Sequence, residues 1–231
     1  MKLSIVIPVY NEKSTIEEVI RRALLVDLGP GIDREIIVAD DGSRDGTREI
    51  LSRLVNHGVI KVHTCLINLG KGAAVRFALE YTSGDVILIQ DADLELNPEE
   101  YPRLIAPIVA GEADVVYGSR FLERNTISLK TALANRFLTF LTNLLYEARL
   151  TDMETAYKVF RADVLRTINL RCVGFEFEPE VTAKVLRRGF QIREVAISYV
   201  PRSQHEGKKI GWYDGVKAIY YLLKYRLIHH V

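Results

Sequence analysis

Short apolar runs alternate, over the first half of the chain, with stretches whose apolar residues recur every three or four positions. Leu3 to Val9 is apolar on both faces and reads as a buried strand. From Ser14 to Val26, Ile16, Val19, Ile20 and Ala23 fall at helical spacing, and Ser14 with Glu17 has the form of a capping box. The alternation continues with a strand over 35–39, a helix over 44–55, a strand over 60–66 and a helix over 71–81. A strand over 86–90, a helix over 98–109 and a short strand over 114–117 complete it. Strands apolar on both faces must be covered on both, so the pattern predicts an α/β protein with a mainly parallel sheet between helices.

Beyond Gly118 the rhythm changes. Leu129 to Tyr146 reads as a strongly apolar helix, 152–161 as a mixed segment, 177–188 as a helix and 192–200 as an alternating strand. Positions 201–211 form a polar, glycine-containing loop, and 212–228 a final amphipathic helix. With no repeat or linker, one domain with a C-terminal elaboration is the simplest division of the 231 residues. Apolar content of 48% and charged content of 26% are those of a soluble globular chain, and a net charge of +1 argues against a general nucleic-acid binder. Cys65 and Cys172 form no metal-ligand spacing and are expected as free thiols of a reducing compartment. Met1 leads straight into a strand, so no signal peptide is expected, and no apolar run reaches the roughly 20 residues that span a bilayer. A cytoplasmic protein is the expectation, with contact to a membrane surface left open.

Ligands on such sheets sit beyond the carboxyl ends of the strands. A dinucleotide fold needs a glycine-rich turn after its first strand, where this chain has Pro8-Val9-Tyr10-Asn11-Glu12, which argues against nicotinamide and flavin chemistry. Gly70-Lys71-Gly72 lacks the spacing of a Walker loop and reads as a helix start. After the strand ending in Gln90 come Asp91 and Asp93, whose carboxylates can converge on one hard cation able to hold a diphosphate, with Glu95 offering a third oxygen. After the strand over 35–39, Asp40 is placed to face a nucleoside, while Asp41-Gly42-Ser43 can cap the following helix.

These motifs, together with Asp40-Asp41-Gly42-Ser43-Arg44-Asp45-Gly46-Thr47 and Asn68-Leu69-Gly70-Lys71-Gly72, resemble glycosyltransferase family 2 with its GT-A, Rossmann-like fold. The second half resembles the dolichyl-phosphate mannose synthase branch and its bacterial polyprenyl-phosphate relatives. That match rests on Gly118-Ser119-Arg120-Phe121, Asn135-Arg136-Phe137-Leu138-Thr139, Thr151-Asp152-Met153-Glu154-Thr155, the run 175–180 and the run 206–212. The resemblance implies a nucleotide-sugar-binding half over 1–118 and an acceptor-binding half over 119–231. Pro8, Tyr10, Glu12 and Asp40 would line the nucleoside pocket. Mg²⁺ or Mn²⁺ would sit on Asp91, Asp93 and Glu95, with Arg202, Lys71 and Lys209 toward the donor diphosphate. Arg120, Asn135 and Arg136 would approach the acceptor phosphate. Animal and archaeal members of the branch carry a basic residue where Thr131, Ala132 and Leu133 stand, and Arg136 would substitute for it.

The implied activity is transfer of mannose or glucose from a GDP- or UDP-sugar to a polyprenyl phosphate at the cytoplasmic membrane face. An acceptor phosphate, with a second pKa near 6, brings its own ionised nucleophile and needs no strong base. A hydroxyl of a soluble or cell-surface glycan is the rival acceptor and would need Asp152 or Glu154 as base. A catalytically silent nucleotide-sugar-binding protein is the rival from another class. For Arg120 and Arg136, an ion pair with Asp152 or Glu154 is the structural alternative to phosphate binding. Leu138 to Leu145 and the helix over 212–228, with Trp212, Val216, Ile219, Tyr220, Leu223 and Leu227 on one face, suit either a lipid surface or burial on the core. A homo-oligomer or a separate membrane-protein partner is left open.

Overall fold

A computed structural model describes residues 1–55, 58–202 and 212–228, with Trp212 described in its backbone alone. Strands β1 (Lys2–Val9), β2 (Asp33–Asp40), β3 (Ile60–Thr64), β4 (Val86–Ile89), β5 (Val115–Ser119), β6 (Lys158–Arg161) and β7 (Ile192–Ala196) form one seven-stranded sheet. Its order is β3-β2-β1-β4-β6-β5-β7. The pairs β1–β2, β2–β3, β1–β4 and β5–β7 are parallel, and β6 runs antiparallel to both its neighbours. The helices are α1 (Ile16–Leu25), α2 (Thr47–Leu54), α3 (Lys71–Leu79), α4 (Tyr101–Val109), α5 (Leu129–Tyr146), α6 (Ala162–Arg166), α7 (Phe177–Arg187) and α8 (Trp212–Leu227), with a 3₁₀ turn over Pro98–Glu100.

Successive strand side chains point to opposite faces, and both faces of β1 are covered. Leu3, Ile5 and Ile7 pack with Ile16 and Ile20 of α1 and Leu104 and Ile105 of α4. Val6 packs on the other face with Ala74 and Val75 of α3 and Val181 and Val185 of α7. Each fully buried side chain of this size contributes about 1.5–3 kcal/mol before its entropy cost. A third apolar cluster, with Leu138, Ala183, Leu222 and Tyr225, joins α5, α7 and α8.

Four local readings are corrected. Helix α1 starts at Ile16 with Thr15 in the N-cap position, not from a Ser14–Glu17 box. The Thr15 hydroxyl bonds the Ala92 carbonyl at 2.9 Å and so ties the helix start to the loop after β4. The mixed segment 152–161 ends in β6, and the short α6 follows it. Strand β7 stops at Ala196. Beyond it the Asn125 side chain takes over the role of a pairing strand, accepting from Tyr199 N at 2.8 Å and donating to Ile197 O at 2.8 Å. Helix α2 is capped neither by Asp41 nor by Ser43: Asp45 accepts from Thr47 N at 3.0 Å.

At the opposite end of the sheet from these loops, the Glu35 side chain is almost fully shielded and receives Lys2 at 2.8 Å, Lys61 at 3.0 Å, the Ser4 hydroxyl at 2.7 Å and Ser83 N at 2.6 Å. Burial pushes its carboxyl up, but these bonds outweigh burial and bring it down to about 2. The unfolded value is about 4.3, so the stabilisation is complete above that pH and is lost as pH falls toward 2. Urea unfolding of wild type and Glu35→Gln should therefore show a stability gap at pH 6 that narrows steadily below pH 4. A gap that persists unchanged to pH 2.5 would show that ionisation of Glu35 contributes nothing.

Candidate functional site

The loops after β1, β2 and β4 converge at the carboxyl edge of the sheet. Asn11, at φ 52, turns the chain out of β1. The loops after β1 and β2 are stitched together: Asn11 N donates to Ser43 Oγ at 2.9 Å, Arg44 N to Asn11 Oδ1 at 2.8 Å and Glu12 N to Thr47 Oγ1 at 2.9 Å. Pro8 lies within β1 opposite Ala39, and Tyr10 follows at the strand end. Asp40 closes β2 fully buried, accepting from Ser43 N at 3.0 Å and facing Arg48 Nε at 3.3 Å. Asp41 instead accepts the amides of Leu69 and Gly70 at 2.9 and 2.7 Å, so the 68–70 turn is held beside β2. Gly70 has φ 109, and a Cβ there would run into the Val173 carbonyl, so this turn admits only glycine.

Lys71 opens α3, and its ammonium is held between Asp91 Oδ1 at 2.7 Å and Glu178 Oε1 at 2.8 Å. Burial alone would push the Lys71 ammonium down, but the two carboxylates beside it hold it above its ordinary value. Arg202 is the matching cation on the other aspartate: Nη2 lies 3.2 Å from Asp93 Oδ2 and 2.9 Å from Glu12 Oε2. The Glu95 carboxylate takes the Tyr199 hydroxyl at 3.1 Å and Arg202 N at 2.8 Å, which anchors the segment that delivers Arg202. Asp91 and Asp93 thus stand two residues apart, partly exposed, each against a positive charge. Among the described residues no group of three or more His, Cys, Asp or Glu could enclose a metal. Two carboxylates on an open turn nevertheless fit a hard cation that completes its shell with phosphate oxygens and water, as Mg²⁺ does. Lys209 lies outside the described residues. Glu178 was given no role of its own by the sequence, where it stood only as one of three glutamates in the run 175–180.

On the far side of the sheet order, Arg120 forks onto buried Asp152, with Nε at 2.7 Å and Nη2 at 2.8 Å, and its amide adds a third bond at 3.0 Å. Burial would push the guanidinium down; Asp152 holds it up. The structural alternative named for Arg120 is therefore present. Arg136 is exposed on α5, its guanidinium 5.5 Å from the Phe121 ring centroid, and Asn135 precedes it half-buried. Between the two halves lie Glu154, pushed up by burial and by Glu178 beside it, and buried Lys158, pushed down by burial.

Helices α5 and α8 each bury one face on the core and leave another exposed. Leu138, Thr139 and Thr142 of α5 and Ala218, Leu222 and Tyr225 of α8 face inward, and the Tyr146 hydroxyl bonds Leu222 O at 2.6 Å. Leu133, Phe137, Phe140 and Leu144 of α5 and Val216, Tyr220, Leu223 and Leu227 of α8 remain exposed. No helix among the described residues is long and apolar enough to cross a membrane.

The family model "Glycosyl transferase family 2" matches residues 4–168. The chain is 31% identical over 227 residues to the low-salt glycan biosynthesis hexosyltransferase Agl6 of Haloferax volcanii, covering 96% of this chain and 53% of that protein. It is 29% identical over 238 residues to the dolichol-phosphate mannosyltransferase of Pyrococcus furiosus, covering 97% and 64%. To the undecaprenyl-phosphate 4-deoxy-4-formamido-L-arabinose transferase of Salmonella paratyphi B it is 32% identical over 173 residues, covering 74% and 52%. The chain thus spans less than two thirds of the length of each of these relatives. Among solved structures, Mycobacterium tuberculosis glucosyl-3-phosphoglycerate synthase in complex with Mn²⁺, UDP-glucose and phosphoglyceric acid matches with a TM-score of 0.73 at 24% identity, covering 98% of this chain and 80% of that one. That likeness shows the fold, GT-A.

Proposed function

Because the chain belongs to glycosyl transferase family 2, we propose that it is an inverting, metal-dependent glycosyltransferase. It moves a hexose, mannose or glucose, from a GDP- or UDP-sugar to a polyprenyl phosphate at the cytoplasmic face of a membrane. The observation that carries this reading is the pair of aspartates beyond β4, each set against a cation, Lys71 or Arg202, beside the loops of β1 and β2. The names of the relatives support the lipid-phosphate acceptor, and the exposed apolar faces of α5 and α8 support a lipid surface.

The nucleoside sits against Pro8, Tyr10, Glu12 and Asp40. Asp91 and Asp93 would hold Mg²⁺ or Mn²⁺, which supplies charge neutralisation for the departing diphosphate. Arg202 stands within reach of the same aspartate and adds a planar fork for phosphate oxygens, while Glu95 fixes its backbone. On the acceptor side Arg120 is spent largely on Asp152, so the exposed guanidinium of Arg136, with Asn135, meets the acceptor phosphate. That phosphate is already ionised at neutral pH and attacks without a strong protein base.

The membrane contact is peripheral. The apolar stripes contribute burial, and Lys217, Lys224 and Arg226 add roughly 1 kcal/mol each on an anionic leaflet. A panel of radiolabelled GDP- and UDP-sugars with short polyprenyl phosphates should move label into the organic phase. Co-sedimentation should be stronger on anionic than on neutral vesicles and fall with salt. A Phe140→Ser, Leu223→Ser variant, altered only at exposed positions, should lose vesicle binding and lipid-acceptor turnover while keeping nucleotide binding. Label that stays aqueous with every lipid acceptor would overturn the acceptor assignment, and a variant that still sediments would place membrane contact elsewhere.

A further inference from the structure

In the segment between α5 and β6, the polar side chains from Thr151 to Thr155 are bonded into the fold with one exception. Thr151 N and Oγ1 and Asp152 N all donate to the Glu194 carboxylate, at 2.8, 2.9 and 3.0 Å. The Asp152 carboxylate holds Arg120. Met153 N donates to Thr139 Oγ1 at 3.0 Å, and Thr155 Oγ1 donates to Gly118 O. The carbonyls of Met153 and Thr155 accept from the buried ammonium of Lys158. Glu154 is the exception: its Oε1 is shielded from solvent and has no hydrogen-bond partner among the described residues. Lys158 does not serve it, being fixed on those two carbonyls with its ammonium 4.6 Å from the Tyr117 ring centroid.

A shielded carboxylate oxygen without a donor costs free energy, and in a segment otherwise satisfied it marks where a ligand supplies the hydrogen. The charges around Glu154 select the ligand. Glu178, which carries Lys71 to Asp91, and the Arg120–Asp152 pair are both near enough to act on its charge, as is Lys158. An ionised phosphate would meet the carboxyl groups of Asp152, Glu154 and Glu178 together. A second metal ion would meet Arg120 and Lys158. A neutral hydroxyl suits the place, and the hexose of the donor is the hydroxyl-bearing group that must lie between the diphosphate and the acceptor. Resting on the nucleotide-sugar reading above, we infer that Glu154 accepts a hydrogen bond from a hydroxyl of the transferred hexose and so helps to determine which sugar is used.

The test is calorimetry in Mg²⁺ with UDP, UDP-glucose, UDP-galactose, GDP and GDP-mannose, on wild type, Glu154→Gln and Glu154→Ala, alongside donor and acceptor KM values. Free nucleotide should bind all three proteins within about twofold. For Glu154→Ala the ratio of sugar-nucleotide to free-nucleotide affinity should fall about five- to tenfold, the worth of a hydrogen bond, and for Glu154→Gln by less. Donor KM should rise with acceptor KM unchanged, and discrimination between UDP-glucose and UDP-galactose should shrink. An unchanged affinity ratio, or a loss confined to acceptor KM, overturns the inference while leaving the donor reading intact. Equal weakening of nucleotide and sugar nucleotide with a lowered melting temperature assigns Glu154 a structural role and overturns it too. Failure of wild type to bind any sugar nucleotide overturns the donor reading and this inference together.

Discussion

Asp91→Asn and Asp93→Asn are each expected to leave no more than about a hundredth of the wild-type transfer rate, with the apparent affinity for Mg²⁺ or Mn²⁺ lowered as well. Each substitution removes one carboxylate of the pair proposed to hold the cation, and loss of one preorganised charge-stabilising group costs about 3 kcal/mol or more in the transition state. The fold should tolerate both changes. Lys71 keeps Glu178 when Asp91 is altered, and Arg202 keeps Glu12 when Asp93 is altered. Neither cation is then left unpaired in a low-dielectric setting. Initial rates across a metal titration, read beside a thermal melt, separate the two effects: activity should collapse while the melting temperature moves little. Full turnover by either variant in the presence of chelator would remove the metal from the mechanism.

The largest effect on stability is expected at Asp152, where alanine should cost about 3–5 kcal/mol in urea unfolding. Asp152 is fully buried and receives the Arg120 guanidinium through two nitrogens, with the Arg120 amide as a third donor. Removing the carboxylate leaves a shielded guanidinium without its counter-charge, which is far more costly than removing both partners. An Arg120→Met, Asp152→Leu pair should accordingly recover most of the loss, and a single Asp152→Ala cost below about 1 kcal/mol would show that the pair is solvated in solution. The same geometry explains why Arg136 is assigned the acceptor phosphate.

What the sequence made legible follows from where its signals are local. β1, β2 and β4 are apolar on both faces because both faces are covered, and the run of such residues marks them without knowledge of the neighbours. Asp40, Asp91 and Asp93 could be singled out because they stand at or just beyond the carboxyl ends of such strands. β6 was hidden because Lys158, buried among tertiary partners, breaks the apolar run and leaves only Val159 and Phe160 to mark a strand. Ser14 and Glu17 had the capping spacing, but Thr15 gains a bond to Ala92 that no local pattern reports. Glu178 and Glu95 tell the same story at longer range. The first meets Lys71 from a helix near the end of the chain, and the second, read by its spacing from Asp93 as a metal ligand, turns its carboxylate to Tyr199 and Arg202. For the paired helices, amphipathicity was visible, but which apolar residues face inward depended on the contacts among α5, α7 and α8.

The place of β6 in the sheet also imposes an order on biosynthesis. β1 to β4 pair among themselves in the order β3-β2-β1-β4 and can assemble as soon as that part of the chain has emerged from the ribosome. β5 is made next yet pairs only with β6 and β7, both synthesised later. Val115 to Ser119 must therefore wait as an unpaired, apolar strand while more than thirty further residues are added, with an edge open to any other growing chain. Antiparallel β6 then closes two gaps at once by joining β4 to β5, so the nascent chain is most vulnerable to a wrong partner in the interval just before Lys158 to Arg161 appears.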